Sequence, residues 1–275
     1  MTELNPSTVE IVSSESDATR CSIALFDFDG TISLIRSGWT DVMVPMMVEI
    51  LAGLGGDESE GELTTVVEEY VARLTGKQTI YQMIELARQI SLRGGKPLEP
   101  MMYKHMYLNR LDAHIKLRVE GLSAGTISPD ELMVPGSRSL MQTLQKRGLS
   151  LYLASGTDES YLSREAELLQ VDTYFDGHIY GAREDYKNFS KKILINRILC
   201  EGNFKGENFL AFGDGYVEIE NVKEVGGCAV GVASDEPICL RVDPVKRQRL
   251  VRAGADWIIP NYNRLNELLS ILFPS

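Results

Sequence analysis

Along this chain, short apolar runs alternate with longer stretches in which apolar residues recur every three or four positions. Ser22-Ile23-Ala24-Leu25-Phe26 is one such run, and it ends in Asp27-Phe28-Asp29-Gly30-Thr31. A short apolar run bounded by turn residues predicts a strand buried on both faces, as in a parallel sheet. The unit recurs in the second half. Leu149 to Ala154 leads into Ser155-Gly156-Thr157, Phe209 to Phe212 into Gly213-Asp214-Gly215, Cys228 to Val232 into polar residues, and Trp257-Ile258-Ile259 into Pro260. Between these runs the spacing predicts helices over Ser137 to Arg147, with Gly148 as the stop, and over Asp158 to Gln170. Two more are predicted from Ser190 to about Cys200 and from Val217 to Val225. Strands alternating with helices of this length predict an α/β fold built on a Rossmann-like, doubly wound parallel sheet.

From about Gly38 to Val134 the alternation stops. Helical spacing persists through Val66, Val67, Tyr70, Val71 and Leu74, again through Tyr81, Ile84 and Ala87, and from Met106 to Leu117. Gly-rich joints separate these pieces. The pattern predicts an α-helical domain over 38–133 inserted into a core made of 21–37 and 134–275. Residues 1–20 are rich in Ser, Thr and acids and predict a flexible tail.

Composition narrows the function classes. The chain has 275 residues, long enough to bury a core without disulfide or metal staples. Its 28 basic and 39 acidic residues give 28 − 39 = −11, a surface that repels nucleic acid and anionic membranes. For an anionic substrate that charge is an obstacle, one that a bound divalent cation could offset. Cys21, Cys200, Cys228 and Cys239 are scattered and make no Cys-x-x-Cys pair, so reduced thiols and a cytoplasmic location are expected. No apolar stretch is long enough to span a membrane, and the N-terminus lacks the basic start and apolar core of a signal peptide.

In open parallel sheets, ligands bind beyond the carboxyl ends of the strands. Those ends carry Asp27 and Asp29, then Ser155 and Thr157, then Asp214. Two carboxylates in one pocket can divide the work of nucleophile and proton donor when their surroundings differ. The run Asp27-Phe28-Asp29-Gly30-Thr31-Ile32-Ser33 resembles the first motif of the haloacid dehalogenase superfamily of phosphohydrolases. Leu153-Ala154-Ser155-Gly156-Thr157 resembles its second motif, and Gly213-Asp214-Gly215-Tyr216-Val217-Glu218 its fourth. The inserted helical domain stands where that family carries its cap.

The resemblance implies a phosphatase acting on a small phosphomonoester, such as a sugar phosphate or a phosphoglycolate-like metabolite. Asp27 would be the nucleophile and form an aspartyl-phosphate. Asp29 would be the general acid and base, and Ser155 would hydrogen-bond the transferring phosphoryl group. Mg2+ would be held by the Asp27 carboxylate, the Asp29 backbone carbonyl and Asp214, with Glu218 near a metal-bound water. The family's third motif is a lone cation near a helix start. Lys191 is favoured, just after the N-cap residue Ser190 and against the helix dipole; Lys187 comes second and Lys192 is a third choice. Two other readings stand beside the phosphatase: a phosphomutase of the same fold, and a phospho-accepting domain without turnover. Gly76-Lys77-Gln78 reads as an exposed helix joint, ahead of the alternative of a cap loop that meets substrate, and Lys246-Arg247-Gln248-Arg249 as a solvated helix face. Arg36 and Trp39 fall at the hinge between core and cap.

Overall fold

Ile23, Ala24, Leu25 and Phe26 are all fully buried, because apolar side chains on alternate faces of a strand need cover on both sides. They form β2 (Ile23–Phe26), the centre of a seven-stranded sheet in a computed structural model that describes residues 9–183, 185, 190–202 and 204–274. The other strands are β1 (Glu10–Ile11), β3 (Ser150–Asp158), β4 (Ile179–Ala182), β5 (Phe209–Gly213), β6 (Cys228–Val232) and β7 (Trp257–Ile259). The order across the sheet is β1-β7-β6-β5-β2-β3-β4. All neighbours are parallel except β1 and β7.

Counted along the chain from β2, the six parallel strands follow the 3-2-1-4-5-6 order of a doubly wound sheet. The winding therefore reverses between β2 and β5, and a crevice opens at their carboxyl ends. Between β2 and β3 come α1 (Thr40–Ala52), α2 (Glu60–Leu74), α3 (Thr79–Leu92), α4 (Pro100–Ala124) and α5 (Ser137–Lys146). The remaining helices are α6 (Glu159–Leu168), α7 (Lys191–Gly202), α8 (Tyr216–Glu224), α9 (Pro244–Arg252) and α10 (Leu265–Leu272). No helix among the described residues is long and apolar enough to cross a membrane.

Strand alternation sorts the core into two layers. Ala24, Phe26, Leu153, Leu210 and Phe212 join α5, α6 and α10 on one face, and that cluster continues into α1 to α4. Ile23, Leu25, Phe209 and Ala211 meet α7, α8 and α9 on the other. Phe26 and Phe212, paired in register, stack with centroids 4.7 Å apart.

Sequence and structure differ at several places. The reading of 1–20 as a flexible tail does not hold for its end: Glu10 and Ile11 pair with Ile258 and Trp257, and Ala18 is fully buried. Two residues are too few to show alternation, so only the pairing partner defines this strand. β4 lacked a strand signal for a related reason: Ile179-Tyr180-Gly181-Ala182 is short and carries a glycine. α1 carries Pro45 inside, which masked its helical spacing.

Candidate active site

The register of the two central strands decides what meets in the crevice. Phe26 pairs with Phe212, and the Asp27 N–H donates to the Phe212 carbonyl at 2.9 Å. Asp27 and Gly213-Asp214 thus leave the sheet side by side, although 187 positions separate the two aspartates (214 − 27). α8 starts at Tyr216, which puts Glu218 in its first turn. The Glu218 Oε1 accepts the Gly215 N–H at 2.9 Å, closing the helix start. Asp27, Asp214 and Glu218 each offer a carboxylate oxygen, and the three atoms lie within 4.8 Å of one another.

Lys191 is the cation among them. Its Nζ donates to Asp27 Oδ1 at 2.6 Å and to Glu218 Oε2 at 2.8 Å. The side chain starts from the first residue of α7, whose preceding Ser190 Oγ accepts the Ile193 N–H at 3.1 Å. Burial pushes the Asp27 carboxyl well above the usual carboxylate range; Lys191 pulls it down, while Glu218 and Asp214 push it up. Burial also opposes the Lys191 charge, but Asp27 and Glu218 outweigh it and hold the ammonium above its ordinary value. Lys192 points elsewhere, to Glu224 at 2.7 Å on the exposed surface. Lys187 lies outside the described residues.

Asp29 sits apart from the three carboxylates. Its Oδ2 accepts from Thr157 Oγ1 at 2.8 Å and from Ser155 Oγ at 3.4 Å. Its buried Oδ1 accepts no hydrogen bond among the described residues. Ser155 Oγ also accepts the Thr157 N–H at 3.0 Å, so the end of β3 is folded back onto Asp29. Gly30, with φ +75°, makes the turn possible, and a Cβ there would fall 2.6 Å from Asp214 Oδ2. Thr31 ties the loop to β5 by accepting the Asp214 N–H at 3.0 Å.

The helical insert closes over these groups. A cavity of about 100 Å³ is left, lined by Asp27, Asp29 and Asp214 from the core and by Arg36, Gln82 and Tyr107, among others. Gly76 and Lys77, read from sequence as an exposed joint, belong to its wall. A Cβ on Gly156 would lie 2.7 Å from the Lys77 carbonyl, so only glycine admits the joint this close. Lys104 of α4 meets Asp158 at 2.5 Å, and Tyr216 donates to the Arg73 carbonyl at 3.0 Å, fastening insert to core on two sides.

Arg36 was placed at the hinge by sequence, but its partner was not foreseen. The buried guanidinium holds Glu165 of α6 through Nε and Nη2, at 3.0 and 2.7 Å, and its Nε is 4.0 Å from Asp29 Oδ1. Burial raises the Glu165 pKa, and the facing arginine limits the rise. Removing one member of a buried pair leaves the other charge uncompensated. Arg36→Met is expected to lower unfolding free energy by about 3–5 kcal/mol, measured by urea titration. A loss below about 1 kcal/mol would mean that water solvates Glu165 in place of the arginine.

The run from Lys246 to Arg249 departs most from the sequence reading. It was expected to be solvated, yet Lys246 Nζ lies 3.0 Å from Asp214 Oδ2 and Arg249 Nη2 donates to the Asp214 carbonyl at 3.1 Å.

A family model for haloacid dehalogenase-like hydrolases matches residues 21–226. Among solved structures, a predicted phosphoglycolate phosphatase from Haemophilus somnus superposes with a TM-score of 0.58 at 11% identity, covering 91% of this chain and 98% of that one. A β-phosphoglucomutase from Clostridium difficile gives 0.58 at 15% identity, over 92% of this chain and 97% of its own. A HAD family hydrolase from Deinococcus radiodurans with bound phosphate and sodium gives 0.54 at 15% identity, over 94% and 100%. At these identities the likeness concerns the fold. A search of curated proteins returns no match.

Proposed function

The chain belongs to the haloacid dehalogenase-like hydrolases, and we propose that it is a Mg2+-dependent phosphatase that cleaves a small phosphomonoester through an aspartyl-phosphate on Asp27. The observation that carries this reading is the arrangement at the ends of β2 and β5: a buried carboxylate paired with Lys191 at 2.6 Å, with two more carboxylates beside it. Residues 38–133 would serve as cap, and 21–37 with 134–275 as catalytic core.

The residues fit a divalent cation. All donors are oxygens, the set that Mg2+ prefers. With Asp27, Asp214, Glu218 and Glu236 ionised and Lys191 and Lys246 protonated, the cluster sums to −4 + 2 = −2, a charge that one divalent ion balances. Gly30 keeps open the space beside Asp214 that a Cβ would fill. Asp27, Asp214 and the Asp29 carbonyl would hold the ion, with Glu218 reaching it directly or through water. Bound there, the ion would neutralise phosphate oxygens and so let a dianion enter an acidic protein.

The protein's own groups account for the rest. An Asp27 carboxylate oxygen attacks phosphorus; the new O–P bond forms as the ester P–O bond breaks. The departing alkoxide takes a proton from Asp29, whose carboxylate Thr157 holds at Oδ2. Asp29, now ionised, removes a proton from the water that attacks the phosphorylated Asp27. The second displacement returns the Asp27 carboxylate and frees phosphate. Lys191 offsets negative charge on Asp27 as the phosphoryl group approaches, and Ser155 donates to that group. A cavity of about 100 Å³ between insert and core suits a small leaving group.

A phosphate-release screen over sugar phosphates, phosphoglycolate, nucleotides and phosphoserine tests the assignment. Release is expected with at least one small ester, falling to background with EDTA and returning on addition of Mg2+. Undiminished release in EDTA would remove the cation from the reaction, and no release from any ester would favour the phospho-accepting reading. Isomer exchange with a bisphosphorylated sugar, in place of free phosphate, would mark a phosphomutase.

A further inference from the structure

Asp214 is gripped at three atoms. Its N–H donates to Thr31 Oγ1 at 3.0 Å, its carbonyl accepts from Arg249 Nη2 at 3.1 Å, and its Oδ2 lies 3.0 Å from Lys246 Nζ. Two of the three partners come from α9. Residues three apart share a helix face, so this one face presents both cations to a single residue at the end of β5. Lys246 is held in turn by Glu236, which accepts from its Nζ. The Lys246 and Glu236 side chains are each only 19% exposed, and that of Asp214 14%.

The local chemistry makes Lys246 an odd choice for a helix start. Asp243 caps α9 by accepting the Lys246 N–H at 2.7 Å, and Pro244 occupies the first helical position. Lys246 therefore lies in the first turn, where a cation opposes the helix dipole. A residue that breaks a local rule and is withdrawn from water is held there by contacts elsewhere. Those contacts are Asp214 and Glu236.

We propose that Lys246, steered by Glu236 and backed by Arg249, is a positioning residue that fixes the plane of the Asp214 carboxylate for cation binding. By holding Oδ2 it turns the group so that Asp214 meets the cation together with Asp27. This inference rests on Asp214 being a cation ligand, as in the proposed function. Partners behind a ligand orient it and typically contribute 10- to 100-fold in metal affinity. A role as mere counter-charge makes the opposite prediction. Removing an ammonium from beside a ligand raises the negative charge of the site, and a divalent cation would then bind more tightly.

The sign of one affinity change separates the two. Mn2+ binding to the whole chain, without substrate, can be followed by the electron paramagnetic resonance of the free ion. Lys246→Met is expected to weaken Mn2+ binding by about 10- to 100-fold, while Lys246→Arg stays within about 5-fold of the parent. Unchanged or tighter binding by Lys246→Met overturns the inference. If Lys246→Met does not fold, as judged by circular dichroism, Glu236→Gln carries the test. It frees the lysine head without removing it, and is expected to weaken binding by about 3- to 10-fold, with no loss counting against the proposal. Asp214→Asn is the reference. If it binds Mn2+ like the parent, or the parent binds none, the ligand assignment falls and this inference with it. If Asp214→Asn loses binding and Lys246→Met does not, the inference alone falls.

Discussion

Asp27→Asn will reduce turnover by at least about 10⁴-fold, the scale seen when a covalent nucleophile is removed, and will leave the fold intact. The amide matches the carboxylate in size, so the packing around Phe26 and Phe212 is undisturbed. Stability should rise, because ionised Asp27 is costly where it sits. Burial, with Glu218 and Asp214 adding to it and Lys191 opposing, lifts its pKa above the unfolded value. An acid whose folded pKa is raised loses stability as pH climbs from the unfolded value, about 3.9, through the folded one. The asparagine variant lacks that loss. In EDTA, its stability advantage over the parent is therefore expected to be absent near pH 3 and to grow as pH rises. Urea midpoints measured across pH check this. A fully active variant, or an advantage that shrinks with rising pH, would contradict the role given to Asp27.

The second large effect is on folding. Lys191 is the ammonium that Asp27 and Glu218 share, and its side chain is 4% exposed. Lys191→Met strands two buried carboxylates, and unfolding free energy is expected to fall by about 3–5 kcal/mol. Adding Glu218→Gln should recover part of that loss, since only one buried carboxylate then lacks its partner. Activity should not recover, because the charge beside Asp27 is still missing when phosphate approaches. Urea titration of parent, single and double variants measures the first effect, and phosphate release the second. A single variant within about 1 kcal/mol of the parent would show that water reaches Asp27 and Glu218 and solvates them.

The difference between Lys191 and Lys246 shows what was legible in the sequence. Lys191 was favoured because a lysine just after an N-cap opposes the helix dipole, and the structure places it on Asp27. The same reasoning applies to Lys246, behind Asp243 and Pro244, but the run of three cations from Lys246 to Arg249 drew the solvated-face reading instead. Charge runs carry no sign of which face turns inward. The parallel strands were legible because burial on both faces demands unbroken apolar runs, and the acids at their ends stood out against those runs. The Arg36–Glu165 pair was not legible. Its partners lie 129 positions apart, and Glu165 looks like any polar residue among Leu162, Ala166 and Leu169 until α6 is set against the start of the insert. Thr157 was seen at a strand end, but its bond to Asp29 depends on how β3 runs on to Asp158. Lys77 is exposed, as a joint between helices is expected to be, but the approach of its carbonyl to Gly156 is a tertiary fact that the sequence does not carry.

The central claim is that phosphorus is bonded, for a time, to Asp27. Capturing that bond tests it most directly. The enzyme would be mixed in excess with a turned-over phosphomonoester and Mg2+, quenched in acid within milliseconds, reduced with borohydride and digested. An acyl phosphate on Asp27 is reduced to homoserine, so the peptide containing Phe26-Asp27-Phe28 should carry that mass change at position 27 and at no other acid. Finding the change at another carboxylate, or a peptide unaltered while phosphate is released, would contradict covalent catalysis at this residue.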